Sequence, residues 1–239
     1  MDVDMVLIPA GWFWMGSDRH YRWERPRHPV WLDSFEIARY PVTRREYARF
    51  LSETAYPEPA GWHDPSLGGA DQPVVGVSWF AAISYCEWLS REGKKFRLPT
   101  EAEWEKACRG GIEDADYAWG NEPPADLEYF RGEWKGPRRI GQGPPNGYGL
   151  FNIGDNVHEW CLDWYGQDYY ASSPERNPTG PESGTRRVSR GGSWRHQIKA
   201  SRAAHRSSLP PEYQYTDYGF RVVIPVIPRR THNYRISHE

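Results

Sequence analysis

Apolar and polar positions alternate in two segments near the start of the chain. Residues 6–14 combine aliphatic and aromatic side chains and are interrupted at Pro9 and Gly11, and residues 30–37 alternate roughly between apolar and polar positions. A period of two is typical of strands with one buried face. The pattern therefore predicts two early strands. Two shorter ones are expected at 186–189 and 219–225.

Three further segments carry helix start signals. Thr43 and Thr100 are each followed three residues later by a glutamate, which is the pattern of a capping box, and Ser78 precedes an apolar run. Apolar residues spaced by three and four positions indicate an amphipathic helix. The expected helices begin after Thr43, cover about 79–91 and cover about 101–109.

The helical pattern ends after residue 111, and Gly, Pro and Asn dominate residues 119–149. So long a stretch of turns inside a compact domain is usually functional or held by a metal. No internal repeat or low-complexity linker divides the chain, so residues 1–239 are interpreted as a single domain. A length of 239 residues is within the range of one all-β or mixed domain.

Composition narrows the function classes. The mean hydropathy is −0.84 and aromatic residues make up 15% of the chain, which predicts a polar surface over an aromatic core. A net charge of −2 argues against nucleic-acid binding. No apolar run approaches the roughly 20 residues of a membrane span. The first residues lack the basic region of a signal peptide, so a cytoplasmic location is expected.

Cysteine and histidine spacing gives little support for a metal or redox motif. Cys86, Cys108 and Cys161 fit neither a disulfide framework nor a zinc pattern, and are expected to be buried thiols in a reducing compartment. The eight histidines show no helical pair at i, i+4. His196 and His205 are left open as members of a histidine-containing pocket.

An ordered set of motifs resembles the formylglycine-generating-enzyme family, also called the sulfatase-modifying-factor family. The Arg-Leu-Pro-Thr-Glu-Ala-Glu-Trp-Glu run at 97–105 is the most specific of them. The resemblance implies a C-type-lectin-like α+β fold over about residues 5–225. The motifs, in chain order, lie at 8–17, 41–50, 73–79, 97–105, 117–120, 145–150, 152–160, 190–194, 202–206 and 219–221.

The chain departs from this family where its oxidases bind copper. In those enzymes two cysteines follow the Gly-Gly-Ser-aromatic motif and hold the ion, and soft thiolates suit copper(I). Here residues 195–201 contain no cysteine, and His196 lies about where the first would be. The comparison therefore argues against copper-dependent formylglycine formation by this chain.

Residues 152–160 resemble the structural calcium loop of the family. The resemblance implies one calcium ion bound by the side chains of Asn152 and Glu159 and by the backbone carbonyls of Asp155 and Val157. The alternative is a loop held by Asn and Asp turn hydrogen bonds without metal. A second calcium site found in some relatives is not expected, because residues 125–140 lack its acidic and glycine-rich segment.

The C-terminal third supplies the candidate binding residues. Aromatic and arginine side chains dominate binding hot spots because they combine contact area with directional hydrogen bonds. Arg202, Arg206 and Arg221 are expected instead to be structural, bridging carboxylates and carbonyls across loops. The predicted ligand-binding residues are Trp194, Arg195, His196, Gln197, Tyr213 and Tyr215.

Three function classes stay open. The preferred one is a non-catalytic domain that binds a protein or small-molecule ligand, in one version a variable protein of a diversity-generating retroelement with its binding surface in the C-terminal segment. The alternative is a divergent metal-dependent oxidoreductase with a histidine-containing pocket. The third is a structural paralogue that regulates an active partner enzyme.

Overall fold

The computed structural model describes residues 2–122 and 135–226. Its described part contains nine short strands and three α-helices joined by long irregular segments. In chain order they are β1 (Met5–Ile8), β2 (Gly11–Met15), β3 (His28–Leu32), β4 (Phe35–Ala38), α1 (Arg44–Thr54), α2 (Trp79–Leu89), α3 (Glu101–Cys108), β5 (His158–Trp164), β6 (Arg187–Arg190), β7 (Arg206–Leu209), β8 (Tyr218–Gly219) and β9 (Val223–Pro225).

The two early strands of the sequence prediction are each two strands. Pro9 and Ala10 separate β1 from β2, and Asp33 and Ser34 separate β3 from β4. β1 pairs antiparallel with β4, which also pairs with β9, whereas β2 and β3 form their own antiparallel ribbon. The interruption predicted at Pro9 to Gly11 is confirmed, whereas the strand predicted at 30–37 was wrong in continuity, because its two halves contribute to different sheets.

The three predicted helix starts are confirmed. Both capping boxes are present: the Thr43 side chain accepts from the Glu46 amide and the Thr100 side chain accepts from the Glu103 amide. Ser78 caps α2 by accepting from the amide of Ala81. The prediction extended α2 by two residues, since the chain tightens into a 3₁₀ turn at Ser90–Glu92.

A third sheet has the order β7-β6-β5-β8, with β5 and β8 parallel. The predicted strand at 186–189 corresponds to β6, and the one at 219–225 is split between β8 and β9. β5 and β7 were not predicted. This sheet positions the C-terminal loops that the next subsection describes.

The core is aromatic, as the composition indicated, and has two main parts. One surrounds α1 and α2, where Tyr47, Phe50 and Tyr85 pack ring against ring at centroid distances of 5.1–5.7 Å. The other surrounds α3, where Trp104 is fully buried beneath β2 to β5. Packed aromatic pairs add to the stabilisation that buried area gives.

Buried ion pairs connect α3 to the third sheet. Glu101 accepts from Arg190 at 2.7 Å and from Arg206 at 2.7 and 2.9 Å, and Glu105 accepts from Arg190 at 2.7 Å. Arg202 likewise donates two hydrogen bonds to Glu24, both 2.8 Å long. These contacts confirm the structural role predicted for Arg202 and Arg206.

One expectation concerns a segment that lies partly outside the described residues. Most of the stretch considered for a second calcium site, at 125–140, is outside them. Among the described residues, no helix has both the length and the apolar character needed to cross a bilayer.

Candidate functional site

The third sheet brings three distant segments of the chain together. β5 lies between β6 and β8, so the start of β5, the turn after β6 and the residue before β8 are neighbours. The amide of His158 donates to the carbonyl of Asp217 at 2.9 Å, and the amide of Trp194 donates to the carbonyl of Asn156 at 2.8 Å. Backbone hydrogen bonds thus fix the positions of the side chains at this edge.

A polar cluster of four side chains forms there. His158 Nε2 lies 3.0 Å from His196 Nδ1, and the hydroxyl of Ser193 donates to Asp217 Oδ2 at 2.8 Å and lies 3.3 Å from His196 Nδ1. His158 and Asp217 are buried, whereas His196 is exposed. The cluster therefore reaches from the protein interior to the surface.

Burial controls the charge of the inner histidine. It lowers the pKa of His158 to about 4, and the neighbouring His196 acts in the same direction against the opposing effect of Asp217. His158 is therefore a neutral imidazole at physiological pH. The pKa of His205 is lowered to about 3, mainly by burial and then by Arg202. His205 does not belong to the group formed by His158, His196 and Asp217.

The predicted binding residues lie on the two loops beside this cluster. Arg195 donates to the Thr216 hydroxyl at 2.6 Å, which joins the two loops, and its guanidinium lies 4.6 Å from the centre of the Trp194 ring. Tyr213 and Tyr215 are 44% and 51% exposed and meet edge to face, with ring centroids 5.9 Å apart. The exposed Gln197 precedes the 3₁₀ turn Ile198–Ser201. Trp194 differs from these residues, because it is partly buried and packs on a small apolar cluster.

The residues predicted to bind calcium have protein partners. Glu159 is fully buried and accepts from Arg221 at 2.6 and 2.8 Å and from the Trp104 indole at 2.8 Å. The Asn152 side chain accepts from the Gly141 amide at 2.9 Å and donates to the Gln142 carbonyl at 2.9 Å. Arg221 is therefore structural, as predicted.

A second guanidinium lies at the other predicted ligand oxygens. Arg138 is buried and donates to the backbone carbonyl of Asp155, and it pairs with the Asp155 carboxylate at 3.1 Å. Val157 is fully buried between these groups and the sheet. Cations already contact the oxygens of Asp155 and Glu159, so this arrangement does not fit a calcium ion. Calcium binding stays a prediction to be tested by metal analysis.

The three cysteines are free and buried, and none lies on the C-terminal loops. Burial raises the pKa of the Cys86, Cys108 and Cys161 thiols. A thiol in such surroundings stays protonated and is a poor nucleophile and a poor metal ligand.

A cavity of about 520 Å³ lies elsewhere and was missed by the sequence analysis. Its walls include the exposed Trp12 and Trp14 of β2 together with Ile112 and Tyr148. Lys106 also lines it and donates to the carbonyls of Pro9 and Gly11 at 2.8 and 2.9 Å. Burial lowers the pKa of Lys106 to about 8.

Comparison with known proteins decides the family. The model of the sulfatase-modifying factor enzyme 1-like domain matches residues 2–226. The chain belongs to this family. A formylglycine-generating enzyme of Thermomonospora curvata is 34% identical over 283 residues, covering 91% of this chain and 92% of that enzyme. The C-type-lectin-like α+β fold expected from the motifs is thereby confirmed.

Other similar proteins carry different names, and one of them is much longer than this chain. Serine/threonine-protein kinase pkn1 of Chlamydia pneumoniae is 38% identical over 240 residues, covering 92% of this chain but 37% of the relative. Among solved structures, PvdO from Pseudomonas aeruginosa has a TM-score of 0.78 at 28% identity and covers 93% of this chain and 94% of its own. Treponema denticola variable protein 1 has a TM-score of 0.78 at 26% identity, with coverages of 92% and 94%.

The candidate site combines residues that the sequence analysis selected with others that it did not. Arg195, His196, Tyr213 and Tyr215 lie on the joined loops, as the residue types and the resemblance predicted. His158 was missed because it lies next to Glu159, inside the motif that was interpreted as a calcium loop. Successive residues of a strand point to opposite faces, so alternation along β5 places His158 and Glu159 on different faces of the sheet. This alternation is the signal by which His158 could have been found.

Proposed function

We propose that this family member is a non-catalytic ligand-binding domain whose binding surface consists of residues 193–198 and 212–218. The observation that carries the proposal is the exposed tyrosine pair, Tyr213 and Tyr215, on a loop joined to the loop of Trp194, Arg195 and His196 by the bond from Arg195 to Thr216. Two loops tied together at their tips present their side chains with little loss of entropy on binding.

The chemistry of this surface favours a polypeptide ligand. Tyrosine, tryptophan and arginine are the residues most enriched in binding hot spots. Tyr213 and Tyr215 expose about half of their surface, which suits contact with an open face of a partner more than enclosure of a small molecule. Arg195 and His196 beside them supply hydrogen-bond donors for the backbone carbonyls or carboxylates of a peptide.

The same segment supports a role without catalysis. Residues 195–201 contain no cysteine, and the three cysteines elsewhere are buried with raised pKa values. The thiolate pair that the resemblance associates with copper chemistry therefore has no counterpart on these loops. The comparisons give no support to the oxidoreductase alternative. Since the chain covers 37% of the pkn1 relative, the kinase activity in that name is not transferred to it.

One form of the binding role is display of a variable surface. The likeness to Treponema denticola variable protein 1 supports placing the binding surface in the C-terminal segment, where the resemblance expects diversification. Sequencing the same locus in several isolates tests this form. Substitutions concentrated at the exposed positions of 193–198 and 212–218 would support it, and invariance of these codons would rule it out.

Selection from a random peptide library displayed on phage tests the binding role itself. The purified chain is the target, and each enriched peptide is then measured by calorimetry against a Tyr213→Ala, Tyr215→Ala double variant. Losing two exposed tyrosines at a hot spot should weaken binding at least about tenfold, because each such truncation costs about 1 kcal/mol or more.

Trp12→Ala is the matched control for this experiment. Trp12 is 52% exposed, close to the 51% of Tyr215, and it lines the cavity of 520 Å³ instead of the loops. The proposal expects peptide affinity to survive Trp12→Ala. It is overturned if the enriched peptides depend on Trp12 and not on the tyrosines, or if a cysteine peptide incubated with the protein, copper and oxygen is converted to formylglycine.

A further inference from the structure

The strongest unassigned feature of the molecule is the histidine–aspartate cluster at the edge of the third sheet. His158 comes from the first position of β5, His196 from the turn after β6, and Asp217 from the position before β8. One ligand atom from each of these three residues lies within 4.8 Å of the others. The pairing of β6, β5 and β8 thus brings two imidazoles and one carboxylate close to a common point.

The separation of the two ring nitrogens is close to that of a zinc site. Zinc bonds of about 2.0–2.2 Å in tetrahedral geometry place two ligand atoms about 3.3–3.6 Å apart. His158 Nε2 and His196 Nδ1 are 3.0 Å apart, which a hydrogen bond between the rings accounts for. An ion that replaces the shared hydrogen needs a few tenths of an ångström of ring movement, which His196 on its exposed turn can supply, and also a closer approach of the Asp217 carboxylate, since the three ligand atoms lie within 4.8 Å of one another.

We propose that His158 Nε2, His196 Nδ1 and a carboxylate oxygen of Asp217 bind one zinc ion, with a fourth coordination position open to solvent on the His196 side. Two neutral imidazoles and one carboxylate carry a net charge of −1, which suits a divalent cation. Three protein ligands with one open position is the arrangement of zinc sites that accept an exogenous ligand.

Neighbouring groups support the ligand roles. The Ser193 hydroxyl donates to Asp217 Oδ2 at 2.8 Å, the kind of outer hydrogen bond that orients a ligating carboxylate. Tyr218 packs against the His158 ring with centroids 4.6 Å apart and limits its rotation.

The donor set selects among metals. A site with two nitrogen donors and one oxygen donor favours zinc over calcium, which prefers six to eight oxygens, and lacks the thiolates that suit copper(I). Zinc has no redox chemistry of its own, so this site does not restore the oxidoreductase alternative. The inference stands independently of the proposed binding function, since the ion is bound by the chain alone.

Zinc titration of the chelator-treated full chain tests the proposal. Calorimetry is expected to show one zinc ion per chain, and the cobalt-loaded protein is expected to show the visible absorption of a tetrahedral site. His196→Ala removes an exposed ligand, and Asp217→Asn removes the charge while its amide oxygen can still accept from Ser193. Each should weaken zinc binding by at least about 10- to 100-fold, the loss seen even for outer-shell changes.

His63→Ala is the control, because His63 is a highly exposed histidine paired with Glu58 and apart from the cluster. It should leave zinc affinity and the cobalt spectrum unchanged. Circular dichroism confirms that each variant is folded. The proposal is overturned if the wild-type chain takes up no stoichiometric zinc, or if both ligand variants bind zinc as the wild type does, in which case the rings form a structural hydrogen bond.

Discussion

Individual charged residues in this protein are buried in pairs more often than the polar composition suggests. Glu159 and Arg221 are both fully buried and make a two-point contact, and the Trp104 indole donates to the same carboxylate. The planar guanidinium matches two carboxylate oxygens at once, which lysine cannot do. This geometry explains why arginine supplies nearly all buried positive charge here, and why removing one partner of such a pair is costly.

Asp163 is the buried carboxyl group that should make stability depend on pH. Burial raises its pKa to about 8, with Glu101 and Glu103 acting in the same direction, and its Oδ2 accepts from the Glu101 amide at 2.9 Å. The unfolded chain releases this proton near pH 4, whereas the folded chain keeps it until about pH 8. The contribution of Asp163 to stability is therefore full at low pH and is lost as the pH rises through this window.

Asp163→Asn should remove that dependence. The amide oxygen can still accept from Glu101, and no proton is lost on unfolding. Urea unfolding at pH 5, 6, 7 and 8 gives the free energy of unfolding of both proteins. The difference, variant minus wild type, should rise by about 1 kcal/mol per pH unit. Because the measured quantity is a difference, the contributions of titrating groups that are distant from Asp163 largely cancel. A difference that stays constant with pH would contradict the assigned pKa.

At the level of elements, helices were more predictable than strands. The capping boxes at Thr43 and Thr100 involve residues three positions apart, so the sequence carries the whole signal. β5 and β7 are stabilised by pairing with β6, from which they are separated by more than ten residues. Nothing local marks such a strand, which is why both were missed and why the division of residues 30–37 into two strands was not predicted.

The same contrast between local and long-range signals explains which residues of the candidate site were predicted. Trp194 to Gln197 follow one another in the chain, so the resemblance and the residue types sufficed to select them. His158 and Asp217 join them only through the order β6-β5-β8, a property of the folded sheet. The strand order that brings these residues together could therefore not be predicted from one sequence, although alternation along β5 could have distinguished His158 from Glu159.

At the scale of elements, Gly191, which precedes the loop at 193–198, is a position where substitution should be costly. Gly191 has φ +80°, and a Cβ atom there would lie 2.9 Å from the Cα atom of Gly154. This close approach holds the turn after β6 against the loop before β5, and the Gly192 amide donates to the Gly154 carbonyl at 2.8 Å. Gly191→Ala should destabilise the fold through both backbone strain and overlap.

Gly93→Ala separates the two effects. Gly93 has φ +100°, but no atom lies within 4 Å of the place that an added methyl group would take, so alanine there adds backbone strain alone. Thermal or urea unfolding should show Gly191→Ala to be the more damaging change by about 1–3 kcal/mol, the usual cost of overpacking. Equal losses at the two positions would mean that the contact with Gly154 relaxes freely.

At the scale of the whole molecule, the loop at 152–159 surrounds a central cation, which is either a metal ion or a guanidinium. Arg138 is fixed by two hydrogen bonds with the Asn156 side chain, 2.8 and 3.0 Å long, and its guanidinium contacts the Asp155 carbonyl and carboxylate. The Asp155 carboxylate and the buried arginine form a matched pair. A cation supplied by the chain leaves no charge for calcium to balance.

We therefore expect the melting temperature of the protein to be unaffected by EGTA, and elemental mass spectrometry to find no calcium retained. Arg138→Gln should cost about 3–5 kcal/mol in urea unfolding, because it removes the buried guanidinium that pairs with the Asp155 carboxylate at 3.1 Å. Arg139→Gln is the matched control, since the neighbouring Arg139 is 70% exposed and pairs with the partly exposed Asp71, a contact worth at most about 1 kcal/mol. One calcium ion per chain together with a melting temperature lowered by EGTA would overturn this expectation, and the ligand set Asn152, Asp155, Val157 and Glu159 predicted from the sequence would then hold the ion.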